Sequence, residues 1–213
     1  MSPLVLAIDT THEYGSIALV RGDEILEEMP LRAAEGFAQI LYGRLRELLA
    51  RHRVALADVD LFAAASGPGS FTGVRVGLAC VKGLAEALRK PAVGISNLEA
   101  LAHLGNGPLR APVLDARRGD VYGAVYDASG GIVVSEMVGK LPIWLAALPP
   151  EVEFVSNDFA AFGDRLPDAP RVTAPRELAA VVARIAPNRD PQDPAALDAN
   201  YVRRSDAEMA WKE

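Results

Sequence analysis

The chain has 213 residues and a formal charge of −6 at pH 7; half of its residues are hydrophobic and 23% are charged. That composition excludes a disordered, collagen-like or low-complexity protein, and the length suits one large domain or two small lobes. The acid excess makes the whole chain a poor electrostatic match for nucleic acid, and the single Cys80 excludes an intramolecular disulfide and every multi-cysteine zinc site.

The first residues, Met-Ser-Pro-Leu-Val-Leu-Ala-Ile-Asp, lack the basic start and long apolar run of a secretory signal. No apolar run approaches the ~20 residues of a membrane span. The expectation is a cytoplasmic protein with no membrane role. Leu4–Ile8 reads as a strand ending in Asp9-Thr10-Thr11. Ser16–Arg21 and Glu24–Glu28 flank Gly22-Asp23, a hairpin turn pair, so three antiparallel strands open the fold. Phe37, Ile40, Leu41, Leu45, Leu48 and Leu49 then recur at helical spacing and predict a helix over about 36–51.

Leu61–Ala65 is a short buried strand that runs into Ser66-Gly67-Pro68-Gly69-Ser70-Phe71-Thr72-Gly73. A second helix follows over 74–89, closed by Pro91. Ala92–Ile95 is a strand and Leu98–Leu104 a short helix. The first lobe therefore reads β-β-β-α-β-α-β-α over residues 1–105. Gly105-Asn106-Gly107-Pro108 is the linker, and 106–213 form a shorter C-terminal lobe and tail. Strands are expected at Ala111–Ala116, Val121–Tyr126 and Ile132–Val138. Beyond them, proline and alanine alternate with short apolar segments, and no repeat of fixed period is visible.

Several groups are candidates for chemistry. Asp9, Thr10 and Thr11 at a strand end either hold a phosphate or magnesium ion or satisfy turn donors of their own. Gly67, Gly69 and Ser70 belong to a loop whose amides either cradle an anion or make a tight strand-to-helix turn. It is no Walker A loop, because no Gly-Lys-Ser/Thr ends it. Ser70 does not sit in a Gly-x-Ser-x-Gly elbow, and His103 is the only later histidine. His12, His52 and His103 have no metal-ligand spacing. Asp115 and Asp120 bracket Arg117 and Arg118 at a strand-turn-strand, which reads as a charged hairpin tip rather than an acid/base pair. In the second helix, Gly73, Gly77, Cys80 and Leu84 fall on one stripe. Interior glycines cost about 1 kcal/mol each relative to alanine, so another backbone should approach there: the lobe's own sheet or a partner's helix.

Four blocks stand in one order: Leu-Ala-Ile-Asp-Thr-Thr (6–11), Gly-Pro-Gly-Ser-Phe-Thr-Gly-Val-Arg-Val-Gly (67–77), Gly-Ile-Ser-Asn-Leu-Glu-Ala-Leu-Ala (94–102) and Leu-Asp-Ala-Arg-Arg-Gly-Asp-Val-Tyr (114–122). With a weaker echo at Tyr201-Val202-Arg203-Arg204, they resemble the TsaB (YeaZ) family, the non-catalytic partner subunit in bacterial synthesis of threonylcarbamoyladenosine on tRNA. The resemblance implies an α/β, actin/Hsp70-like (ASKHA) two-lobe fold. It implies no catalytic residue, no metal and no cofactor, and at most a weak nucleotide or phosphate site at Asp9, Thr10, Thr11, Gly67, Gly69 and Ser70. It also implies partners: a TsaD-like catalytic subunit, a TsaE-like ATPase, a second copy of itself when alone, and tRNA only through the complex. The interface it implies is the helix pair, through Phe37, Ile40, Gly73, Val76, Gly77, Cys80 and Leu84. The chain departs from many family members at Gly36, where they carry a histidine. The competing reading is an ATP-dependent small-molecule kinase of the same superfold. That would need a second glycine-rich loop, yet after residue 131 only the isolated Gly139 and Gly163 remain.

Overall fold

The structure, a computed structural model, describes residues 2–200 and Val202, so the Tyr201-Val202-Arg203-Arg204 echo lies almost wholly outside the described residues. The described residues form two compact units, one of residues 2–97 with Arg176–Asn200 and one of Leu98–Pro175.

In the first unit, β1 (Leu4–Asp9), β2 (Tyr14–Arg21) and β3 (Glu24–Arg32) form the antiparallel meander expected from the hairpin turns. α1 (Phe37–Arg51) follows, then β4 (Leu61–Ala65), α2 (Phe71–Leu88) and β5 (Ala92–Ile95). The sheet order is β3-β2-β1-β4-β5, with β1, β4 and β5 parallel. α2 begins three residues before the predicted 74, because Ser70 caps it: its Oγ accepts the Gly73 amide at 3.4 Å. Phe37, Leu41, Leu45, Leu48 and Leu49 of α1 join Val74, Leu78, Cys80 and Val81 of α2 in one core over Leu4, Leu6 and Ile8 of β1.

In the second unit, α3 (which begins at Asn97 and runs to His103) leads to β6 (Leu109–Asp115), β7 (Asp120–Asp127) and β8 (Ile132–Lys140). α4 (Leu141–Ala146), β9 (Glu153–Ser156) and β10 (Arg171–Thr173) complete it. The order β8-β7-β6-β9-β10 reproduces the first sheet's pattern: an antiparallel meander whose first strand pairs in parallel with the fourth strand, which in turn pairs in parallel with the fifth. The topology is thus repeated although the sequence shows no repeat. The core is built on Trp144, which meets Phe154 edge-on at 5.9 Å, and Gly123 lies where any Cβ would strike the indole.

A single cut at residue 105/106 does not describe these units. Residues 176–200 return to the first, where α5 (Ala179–Ile185) packs on β1, β2 and β4. Alternation along a strand explains why it must. Leu4, Leu6 and Ile8 face the α1–α2 core, yet Val5 and Ala7 are equally buried, so the second face of β1 needs its own cover. No described helix is long and apolar enough to cross a membrane.

Candidate functional site

The end of β1 and the glycine loop form one hydrogen-bonded knot. Asp9, Thr10 and Thr11 are all buried. Asp9 Oδ1 accepts the Thr11 amide at 2.9 Å and the Thr11 hydroxyl at 2.6 Å. The Asn97 side-chain amide donates to the Thr11 hydroxyl oxygen, and the Asn97 backbone amide donates to the Gly67 carbonyl at 2.8 Å. His12 Nδ1 lies 3.0 Å from the same hydroxyl. The Ser70 amide donates to the Thr11 carbonyl at 2.6 Å, and the Thr10 hydroxyl donates to the Gly73 carbonyl at 2.7 Å.

The glycines follow from that closeness. A Cβ on Gly69 would run into the Thr11 carbonyl, one on Gly73 into the Thr10 carbonyl, and one on Gly77 would lie 2.7 Å from Thr10 Oγ1. Of the two openings left by the sequence, the approaching backbone is the protein's own: Thr10 and Thr11, directly after β1. The amides of Ser70 and Gly73, which an anion cradle would offer, are spent inside the chain. Asp9 Oδ2 and Asn97 Oδ1 are buried without a hydrogen-bond partner. Burial raises the Asp9 carboxyl above its ordinary 3.8, against the opposing pull of His12 and the Thr11 hydrogen bonds; Glu177 adds to the rise. Among the described residues no three His, Cys, Asp or Glu side chains cluster as metal ligands. At the hairpin tip, Asp120 pairs with Lys140 at 2.7 Å and Asp115 accepts the Arg117 amide at 2.9 Å, so both carboxylates serve the turn.

The seven residues expected at the helix-pair interface are buried or half-buried in the unit. Phe37, Gly73, Gly77 and Cys80 are buried within the unit, and Ile40, Val76 and Leu84 are half-buried against the same core. The reason is general: the apolar stripe of an amphipathic helix faces its own core. What α1 and α2 present outward lies off those stripes. Tyr42 is 62% exposed and Phe71 44%. The Arg75 guanidinium stacks 3.6 Å over the Phe71 ring. Gly43 and Gly83 have open space where a Cβ would stand. Tyr42 lies near Cys80, whose electrostatic influence raises the phenol above its ordinary 10.0. Burial pushes the Cys80 thiol up to about 11, which keeps it protonated. Sequence reasoning gave no role to Asn97 or Tyr42. The signal for Tyr42 was an aromatic off the apolar stripe of its helix.

Residues 24–180 match the family model described as TsaD: tRNA N6-adenosine threonylcarbamoyltransferase. A Bacillus subtilis protein named tRNA threonylcarbamoyladenosine biosynthesis protein TsaB is 31% identical over 98% of both chains. The chain belongs to the TsaB (YeaZ) family. The Escherichia coli TsaB is 36% identical over 57% of this chain and 54% of its own. The solved structure of YeaZ from Pseudomonas aeruginosa superposes with a TM-score of 0.77 at 26% identity, covering 93% of this chain and 99% of that one. TsaB proteins share the actin/Hsp70-like fold, and the duplicated β3-β2-β1-β4-β5 pattern is its form here.

Proposed function

We propose that this chain is a non-catalytic subunit in the synthesis of threonylcarbamoyladenosine on tRNA, and that it docks the TsaD-type catalytic subunit through the outward face of α1 and α2. The pathway is supported by the B. subtilis relative, which carries that role in its name and matches over its length. The docking face is supported by one observation: α1 and α2 carry the exposed aromatics Tyr42 and Phe71, and each helix also has a glycine, Gly43 and Gly83, with open space where a Cβ would stand. Large aromatic anchors set among small residues are what a helix-on-helix contact requires. Phe37, Gly73, Gly77 and Cys80 lie beneath this face and hold it in place, while Ile40, Val76 and Leu84 form its half-buried margin. A TsaE-type ATPase joins the assembly, and tRNA is met only through it. The isolated chain pairs with itself by the same face, in the cytoplasm.

The test is calorimetric titration with the catalytic subunit of the same organism. Tyr42→Arg should weaken association roughly thirtyfold or more, the scale of losing one hot spot of about 2 kcal/mol, with an unchanged melting temperature. Full affinity in the variant would move the interface off this face.

A further inference from the structure

The second unit contains an open groove of about 550 Å³ between the end of α4 and the segment before β10. Leu145 and Leu148 lie partly exposed along it, over the buried Val152 and Phe154. Pro149, Pro167 and Pro170 line its walls, and their fixed φ angles leave little to order on binding. Two carboxylates, Glu151 and Asp168, stand on the same lining. Both are exposed, and neither has an ion-pair or hydrogen-bond partner among the described residues. Arg171, a near basic group in sequence, is engaged otherwise: its Nη2 donates to the Leu166 and Pro167 carbonyls at 3.2 Å. Glu151 also holds a left-handed φ of +60°, where glycine would be cheaper.

We propose that this groove is a second protein-docking surface, which takes a peptide segment of a partner protein carrying apolar anchors and lysine or arginine. An apolar floor alone would accept any hydrophobic chain. The two unpaired carboxylates select a basic one, because opposite charge at a rim steers and orients the partner while like charge repels it. The volume suits several side chains of an amphipathic segment laid along the groove rather than one small cation. These residues are distinct from those of the α1–α2 face.

The probe is a labelled, helix-forming synthetic peptide with leucine on one face and lysine on the other, followed by fluorescence anisotropy on the full chain. Wild type should bind it, and the Glu151→Lys/Asp168→Lys double variant should bind at least tenfold more weakly. Both substitutions are at exposed positions, so folding is retained, and circular dichroism checks this. Charge reversal elsewhere, Asp23→Lys/Glu24→Lys, should leave binding unchanged. A peptide with serine in place of leucine should bind at least tenfold more weakly as well. Equal loss in both charge variants would reduce the effect to the chain's overall acidity and overturn the proposal. Full binding by the serine peptide, with competition by spermidine, would make the groove an amine site and overturn it too. No peptide binding, with self-association abolished by Glu151→Lys/Asp168→Lys in sedimentation, would assign the groove to a second copy instead.

Discussion

Thr10 and Gly73 grip each other from both sides: the Thr10 hydroxyl donates to the Gly73 carbonyl at 2.7 Å, while the Thr10 carbonyl occupies the space where a side chain on Gly73 would begin. The strand end and the helix start are therefore one unit. Gly73→Ala should cost stability at the upper end of the ~1–3 kcal/mol typical of overpacking, since the obstructing atom is backbone and cannot turn aside. Gly77→Ala should cost less, because the Thr10 hydroxyl it meets at 2.7 Å is a side chain. Thr10→Val removes the hydroxyl's additional bond to the Gly73 carbonyl, an acceptor within α2, and should cost about 0.5–1.5 kcal/mol. Urea unfolding of the three variants ranks them, and Gly77→Ala falling below Gly73→Ala would contradict the geometry.

The buried Asp9 gives a pH signature of unusual sign. Its carboxyl is raised above 3.8 in the folded protein, chiefly by burial. The folded state therefore holds its proton more tightly than the unfolded chain. The stability this contributes is complete below about pH 3.8, the unfolded value, and is lost as pH rises through the folded value. Asn in its place keeps the oxygen that accepts from Thr11 and removes the charge. Asp9→Asn should gain on wild type progressively as pH rises above 4. Melting curves from pH 4 to 8 test this, and a gap that closes with rising pH would show a carboxylate held ionised.

The sequence makes α1 readable because its apolar positions recur along one stripe, Phe37 to Leu49, and polar residues fill the rest. α5 carries no such contrast. Its residues Ala-Ala-Val-Val-Ala-Arg-Ile are buried nearly all round, so there is no periodicity to find, and the proline-rich surroundings suggest a loop. The glycine stripe on α2 signals a close approach but not what approaches, since Thr10 is brought there by the chain sixty-odd residues earlier. Likewise, Tyr42 and Phe71 take their meaning from exposure, which helical spacing gives only by exclusion. Unit membership of 176–200 is a tertiary fact: β1 has two faces to bury, and only the second is closed by that returning segment.

Glu28 caps α5 from a distant strand. Its Oε1 accepts the Ser16 hydroxyl at 2.8 Å and the Ala180 amide at 3.0 Å, while the Ser16 oxygen accepts the Ala179 amide at 3.1 Å. The first amides of the helix, which have no partner within it, are thus satisfied by β2 and β3. Glu28→Ala strands the Ala180 amide and should cost about 1–3 kcal/mol. Glu28→Gln retains an accepting oxygen and should cost less. Hydrogen exchange localises the effect: amides of 179–185 should lose protection in Glu28→Ala before those of β1. Uniform loss across the unit would mean that α5 does not open separately.

Gly43 and Gly83 separate the needs of the fold from those of the proposed docking face. Neither has a neighbour where a Cβ would stand, and both lie within helices. Alanine there adds helix propensity without a clash, so Gly43→Ala and Gly83→Ala should each stabilise the isolated chain by about 0.5–1 kcal/mol. A long side chain should act differently on association. Gly83→Arg keeps a good helix former, so thermal stability should hold at or above wild type, but its bulk fills the space into which a partner backbone would come. If the catalytic subunit and a second copy of this chain share the α1–α2 face, Gly83→Arg should weaken both assemblies together, and excess catalytic subunit should dissolve the homodimer. Sedimentation velocity on wild type and variant, alone and with the catalytic subunit, reads all three. A variant that loses one assembly and keeps the other would assign the two partners to different surfaces.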